Sequence, residues 1–180
     1  MYLEQTSHEV SVVLSRYAPV VISEELPDGL QLGPGIRRYG HRSMHVPFAS
    51  GSNVPDVMIV VPCSMGTLGR VAHGYSDDAL ARAADVVLKE RKKLILVPRE
   101  TPMNLIHIRN LETILLAGGQ VIPANPSFYT RPTTVEAVVD TVVSRILDNA
   151  GAPVDVLPRW QEEPDSTRTQ PDPEDNESHH

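Results

Sequence analysis

The sequence predicts an α/β protein: an open, mostly parallel, doubly wound sheet with helices on both faces. Apolar or β-branched runs at residues 9–14 (EVSVVL), 56–62 (DVMIVVP), 93–97 (KLILV) and 120–124 (QVIPA) read as strands. Segments of helical periodicity separate them, long enough for the crossovers that parallel strands need. A length of 180 residues with 41% apolar and 22% charged side chains suits one domain with a real core.

Taken in order, the run at 9–14 is a short strand followed by Ser15, and residues 16–25 read as a helix with Val20, Val21 and Ile22 available to pack. Residues 26–55 are rich in Gly, Pro and Ser and predict loop with little regular structure. The run at 56–62 is almost continuously apolar, as in a strand buried on both faces. A short helix over 64–73 follows. Ser76 is then the expected N-cap of a helix over 77–90, with Asp77 and Asp78 at the positive end of its dipole. The strand at 93–97 stops at Pro98. Residues 102–117 predict a helix opening on proline and ending at Gly118-Gly119. After the strand at 120–124, residues 133–149 carry the clearest helical signal: Val135, Val138, Val139, Val142, Val143, Ile146 and Leu147 share a face, and Gly151 closes it.

Charge and cysteine content narrow the function classes. The formal net charge of −7 argues against a general nucleic-acid binder. One cysteine excludes an intramolecular disulfide and fits a reducing compartment. Apolar runs such as 57–62 fall far short of the roughly 20 residues that span a bilayer. No signal sequence opens the chain, so a cytoplasmic location is expected. Residues 1–160 are expected to form one α/β domain. Residues 161–180 are expected to be a disordered acidic tail, since apolar side chains nearly vanish after Trp160. His179-His180 has no spaced partner ligand and reads as part of that tail, not as a metal site.

Open α/β sheets bind ligands at the carboxyl ends of their strands. Three such ends stand out here: Ser15, the segment Cys63-Ser64-Met65-Gly66-Thr67, and Arg99-Glu100. The second joins a strand to a helix N-terminus, where free amides and hydroxyls serve either as ordinary capping groups or as a cradle for phosphate. Cys63 reads as a nucleophile or, more simply, as a small buried hydrophobe. Arg99 beside Glu100 offers an anion-binding cation and a proton-transfer carboxylate, or an ordinary surface ion pair. Arg82 and Lys89, seven residues apart, share a helix face that either converges on an anion or is simply solvated. His73 and His107 read as capping or packing groups, and Met65 and Met103 as space filling.

The combination PCSMGT, RAADVVLKE, PRETP and FYTRP, within a stretch running from residue 49 to 160, resembles the UbiX-type flavin prenyltransferases. The resemblance implies a flavodoxin-like fold and a homo-oligomer, typically a dodecamer, with active sites at subunit junctions. It implies reduced FMN and dimethylallyl phosphate as substrates, no metal, and a prenylated FMN delivered to a UbiD-type decarboxylase. Ubiquinone biosynthesis and aromatic acid breakdown are both compatible pathways. Carried over by position, Ser15, Ser64, Met65, Gly66, Thr67 and Arg99 are implied to touch FMN. Lys89, Tyr129 and Arg145 are implied to hold the donor phosphate, with Arg82 close by. Glu100 is implied to handle protons, with Glu25 as a second acidic residue.

The pattern departs from the family at the amino end, where its opening strand and glycine-rich turn have no counterpart before Glu9. The expected consequences are weaker FMN binding and a row of unpaired backbone groups in the sheet. A truncated reading frame is favoured over a degenerate homologue. Two further readings stay open: a flavin-dependent cysteine decarboxylase of the same fold, against which PRETP and FYTRP argue, and an inactive flavin-binding subunit.

Overall fold

The computed structural model describes Leu3, residues 7–43 and residues 46–154. The proposed acidic tail lies outside the described residues. The elements run in order: β1 (Ser11–Val13), α1 (Ala18–Glu25), β2 (Arg37–Tyr39), two short 3₁₀ turns (Pro47–Ala49 and Gly51–Asn53), β3 (Val57–Cys63), α2 (Met65–Ala72), α3 (Ala79–Lys89), β4 (Lys93–Pro98), α4 (Leu105–Leu116), β5 (Gln120–Val121) and α5 (Val135–Ala150). All strand pairs among the described residues are parallel. The α/β reading therefore holds. Among the described residues the strands form two sheets, β1–β2 and β3–β4–β5.

β4 organises the core because its residues alternate between two covered faces. Leu94 and Leu96 pack with Leu68 and Val71 of α2, Leu80, Ala84 and Val87 of α3, and Ile114 of α4. Ile95 and Val97 face the other way, against Ile146 and Val142 of α5. β3 differs from its sequence expectation. Only Val60 and Cys63 of its seven residues are buried, and Val61 is 59% exposed. β3 pairs with β4 along one edge only among the described residues, so its apolar run lacks the second neighbour that would cover it.

Three local expectations are corrected. The stretch at 26–55 contains β2, which pairs with β1 from Ser11↔Arg37 to Val13↔Tyr39; its charged RRY composition hid it. Asp78, not Ser76, caps α3, its Oδ1 accepting from Ala81 N at 2.8 Å. α4 begins after Asn104, not at Pro102. Asn104 Oδ1 accepts from His107 N at 2.9 Å while the His107 ring reaches back to Asn104 N, which makes His107 the capping group it was read to be. His73 likewise closes α2 through Nδ1 and the Gly69 carbonyl, 2.8 Å apart.

Candidate functional site

The carboxyl edge of the three-stranded sheet assembles the first group of residues. Cys63 pairs with Pro98 in the β3–β4 register, so Ser64 and Arg99 leave adjacent strands side by side. The Ala124 amide donates to the Pro98 carbonyl at 2.9 Å, bringing the chain that leads to Tyr129 to the same edge. Arg99 and Glu100 are exposed there, and Glu100 Oε1 accepts from the Thr101 amide at 3.1 Å. Tyr129, 58% exposed, sits in a turn closed by Arg131 N to Phe128 O. That loop is anchored to α5 by Thr141 Oγ1, which accepts from Ser127 N at 3.1 Å.

Ser64 caps α2, its hydroxyl accepting from Thr67 N at 3.2 Å. The same hydroxyl donates to Thr67 Oγ1 at 3.1 Å. The first amides of a helix have no partner within the helix, so Met65 and Gly66 present theirs outward at the edge. A Cβ on Gly66 would meet only Ser64 Oγ, at 4.0 Å, so open space lies over this turn. Amides, hydroxyls and the neighbouring Arg99 guanidinium form a donor set that fits an anionic, acceptor-rich group such as a flavin phosphate. Cys63, 1% exposed, packs as a small buried side chain: burial pushes its thiol up to about 12, against opposing effects of the Leu68 amide and Arg70.

Ser15 lies at the end of β1 and accepts from Ala18 N through Oγ at 3.2 Å. It lines a shallow cavity of about 270 Å³ together with Arg38, Tyr39 and His41. The latter three follow from β2, the strand that the sequence did not reveal, so their presence here could not be read in advance. The His41 carbonyl accepts from Ala79 N at 2.9 Å and ties this cavity to the start of α3. Arg82, one turn into α3, is engaged locally: Nε donates to the Ala49 carbonyl and Nη1 to Asp85, both at 3.3 Å.

Lys89 and Arg145 are elsewhere in the chain. Lys89 is the last residue of α3, just before β4 begins, with Nζ 3.3 Å from Glu90 Oε1. Arg145 is exposed one turn before the end of α5, which Lys93 Nζ ties to the start of β4 by a 2.7 Å bond to the Asn149 carbonyl. Lys89 precedes the amino end of β4, a strand about 16 Å long at the usual rise per residue, whereas Arg145 lies on α5 midway between Thr141 at the Ser127 loop and Asn149 at Lys93. A single chain therefore does not bring Lys89 to Arg99. Glu25 ends α1, at the other end of that helix from Ser15. Among the described residues no group of three or more His, Cys, Asp or Glu side chains could hold a metal ion, and no helix is long and apolar enough to cross a membrane.

Sequence comparison matches residues 2–147 to the family model described as Flavoprotein. The chain is 41% identical over 177 residues to the flavin prenyltransferase UbiX of Pseudomonas aeruginosa, covering 89% of this chain and 85% of that protein. Among solved structures, it resembles a dodecameric FMN-dependent UbiX-like decarboxylase from Escherichia coli O157:H7 with a TM-score of 0.83, at 38% identity over 89% of this chain and 88% of that one. It resembles equally AnUbiX (PadA1), solved in complex with FMN and dimethylallyl pyrophosphate, with a TM-score of 0.83 at 36% identity over 91% and 88%. The chain belongs to the flavoprotein family and, within it, to the UbiX-type group.

Proposed function

We propose that this protein is a flavin prenyltransferase that joins a dimethylallyl group from dimethylallyl phosphate to N5 and C6 of reduced FMN. The observation that carries this reading is the Cys63↔Pro98 register, which sets the α2 amides and the Ser64 and Thr67 hydroxyls beside Arg99 and Glu100. Reduced FMN supplies the nucleophilic ring; Ser15, Ser64, Met65, Gly66, Thr67 and Arg99 bind and orient it. The leaving phosphate gathers charge as the allylic C–O bond breaks. Cations and a phenol around it, from Lys89, Tyr129 and Arg145, stabilise that transition state more than the ground state. Glu100, exposed beside Arg99 with Oε1 accepting from the Thr101 amide, handles protons as the new ring closes: the prenyl alkene gains one and C6 of the flavin loses one.

The placement of Lys89 at the opposite edge favours a homo-oligomer in which one copy supplies this cation to the site of another. Leu105, Ile106, Leu115 and Leu116 stand exposed on α4 and offer apolar surface for such contacts. The dodecameric relative makes twelve copies the expected number. A UbiD-type decarboxylase is the expected recipient of the product.

Incubation with reduced FMN and the prenyl donor, followed by mass spectrometry of the flavin, tests the proposal. One prenyl group is expected to be added with the monophosphate and none with the pyrophosphate. Folded protein that leaves the flavin mass unchanged with both donors would reject it. Conversion of a cysteine-ended peptide in its place would identify a cysteine decarboxylase. Co-expression tests the shared site. Ser64→Ala and Lys89→Ala are each expected to be inactive alone and to regain activity when mixed, because some junctions then pair two intact halves. Absence of regain would place Lys89 outside the site.

A further inference from the structure

Arg70, in the last turn of α2, is a charged side chain in contact with the Ser64–Thr67 hydroxyl pair. Its guanidinium is held from the far side by two carboxylates of the α2–α3 corner, Nη1 lying 2.6 Å from Asp77 Oδ1 and 2.8 Å from Asp78 Oδ2. Its Nη2 points back along the helix to Thr67 Oγ1 at 3.4 Å. That distance is long for a hydrogen bond, so the contact acts as an electrostatic steer more than a strong bond. A hydroxyl has two lone pairs and one proton. Thr67 Oγ1 already accepts from the Ser64 hydroxyl at 3.1 Å, and Arg70 occupies the second lone pair.

The Ser64–Thr67 hydroxyl pair has two polarities. In one, Ser64 donates to Thr67 and the Thr67 proton is free; in the other, Thr67 donates back and the Ser64 proton is free. A cation beside Thr67 Oγ1 favours the first, because it repels a proton aimed its way and rewards an oxygen that accepts. We infer that Arg70 is a positioning residue that locks this pair so that the Thr67 hydroxyl is a dedicated donor to an acceptor oxygen of the bound flavin. The two aspartates balance the guanidinium charge, so the role is orientation and not general attraction of anions. This inference rests on the proposed flavin site at Ser64–Thr67.

The test is FMN binding, followed by quenching of flavin fluorescence, in wild type, Arg70→Lys, Thr67→Val, the double variant and Ser64→Ala. Lysine keeps an ammonium for Asp77 and Asp78, which preserves the corner, but its single head group held there does not reach Thr67. Arg70→Lys and Thr67→Val are each expected to weaken FMN binding by about tenfold, the scale of one hydrogen bond. The double variant is expected to bind no more weakly than Thr67→Val alone, and the salt dependence of binding should stay that of wild type. Thermal unfolding checks that each variant is folded; Arg70→Met serves as a second removal of the donor. An Arg70 effect of full size in the Thr67→Val background, or no effect of either Arg70 substitution, overturns the inference. Binding lost in Ser64→Ala but untouched by Arg70 leaves the site reading standing and sinks this inference alone. Wild type that binds no FMN, or Ser64→Ala that binds like wild type, sinks the site reading itself.

Discussion

In β4, every residue from Leu94 to Pro98 is buried, whereas β1 has no buried residue and neither has α1 beside it. Both regions are parallel α/β units, and both carry apolar side chains. The difference lies in cover. β4 has a strand on each edge and helices on each face, while the β1–β2 sheet has two strands and one short helix. Tyr17, Val20, Val21 and Leu26 consequently remain exposed along and beside α1. β4 is buried along nearly its whole length because both of its edges and both of its faces are occupied.

The largest expected effect that tests this contrast is truncation within β4. Leu96→Ala removes a side chain with no solvent exposure from the packed face and should destabilise the protein by about 2–5 kcal/mol in urea unfolding. Val12→Ala in β1 should cost less, about 1 kcal/mol, since that side chain is only partly buried. Equal costs would mean that the β1 half is covered as fully as β4, and the contrast would fail.

Glycines sharpen the comparison at a smaller scale. A Cβ on Gly119, at the turn between α4 and β5, would lie 2.7 Å from Ile114 Cγ2 and 3.2 Å from the Ile114 carbonyl oxygen. Gly119→Ala should therefore cost about 1–3 kcal/mol through overpacking. At Gly35, just before β2, nothing lies within 4 Å, and alanine there should leave the unfolding midpoint almost unchanged. Capping gives the next step down. Thr134→Ala, which removes the hydroxyl that accepts from Ala137 N, should cost about 1 kcal/mol by the same measurement.

The same contrast explains what was legible in the sequence. β4 was readable because its burial leaves an unbroken apolar run, and α5 because its apolar side chains recur at helical spacing, although Val135 and Val139 of that stripe are exposed. Gly151 and the Ser64 cap followed from local chemistry that acts within a few residues. β2 was not readable. Three charged or polar residues in a loop-like stretch form a strand only because β1 offers an edge, and pairing is not written in composition. β3 erred in the other direction: its run reads as a doubly covered strand, and among the described residues one edge has no paired strand. For the site, Ser64, Thr67, Arg99 and Glu100 were legible as strand ends, and the register brings them together. The Arg70 corner was hidden because its meaning depends on α2 and α3 folding back on each other. The distance of Lys89 from that edge was hidden for a similar reason, since helix direction relative to the sheet decides it.

The smallest expected effect concerns that corner and its charge. Burial raises the Asp78 carboxyl, but the Ala81 amide and the Arg70 guanidinium outweigh it and hold the group below its ordinary 3.8. Arg70 responds in kind, its guanidinium raised above its ordinary value chiefly by the bond to Asp78. A carboxyl depressed in the folded state binds fewer protons than it does in the unfolded chain. Its stabilisation is therefore fully present above the unfolded value and is lost as pH falls through the folded one. Urea unfolding should show a flat contribution near neutral pH that declines below about pH 4. Asp78→Asn keeps a side-chain oxygen to cap α3 but cannot ionise. It should therefore remain helical, lose a little stability at pH 7, and lose the acid-side decline attributable to this group. An unaltered pH dependence in that variant would mean that Arg70 is held by Asp77 alone, and the corner would then owe its order to packing more than to charge.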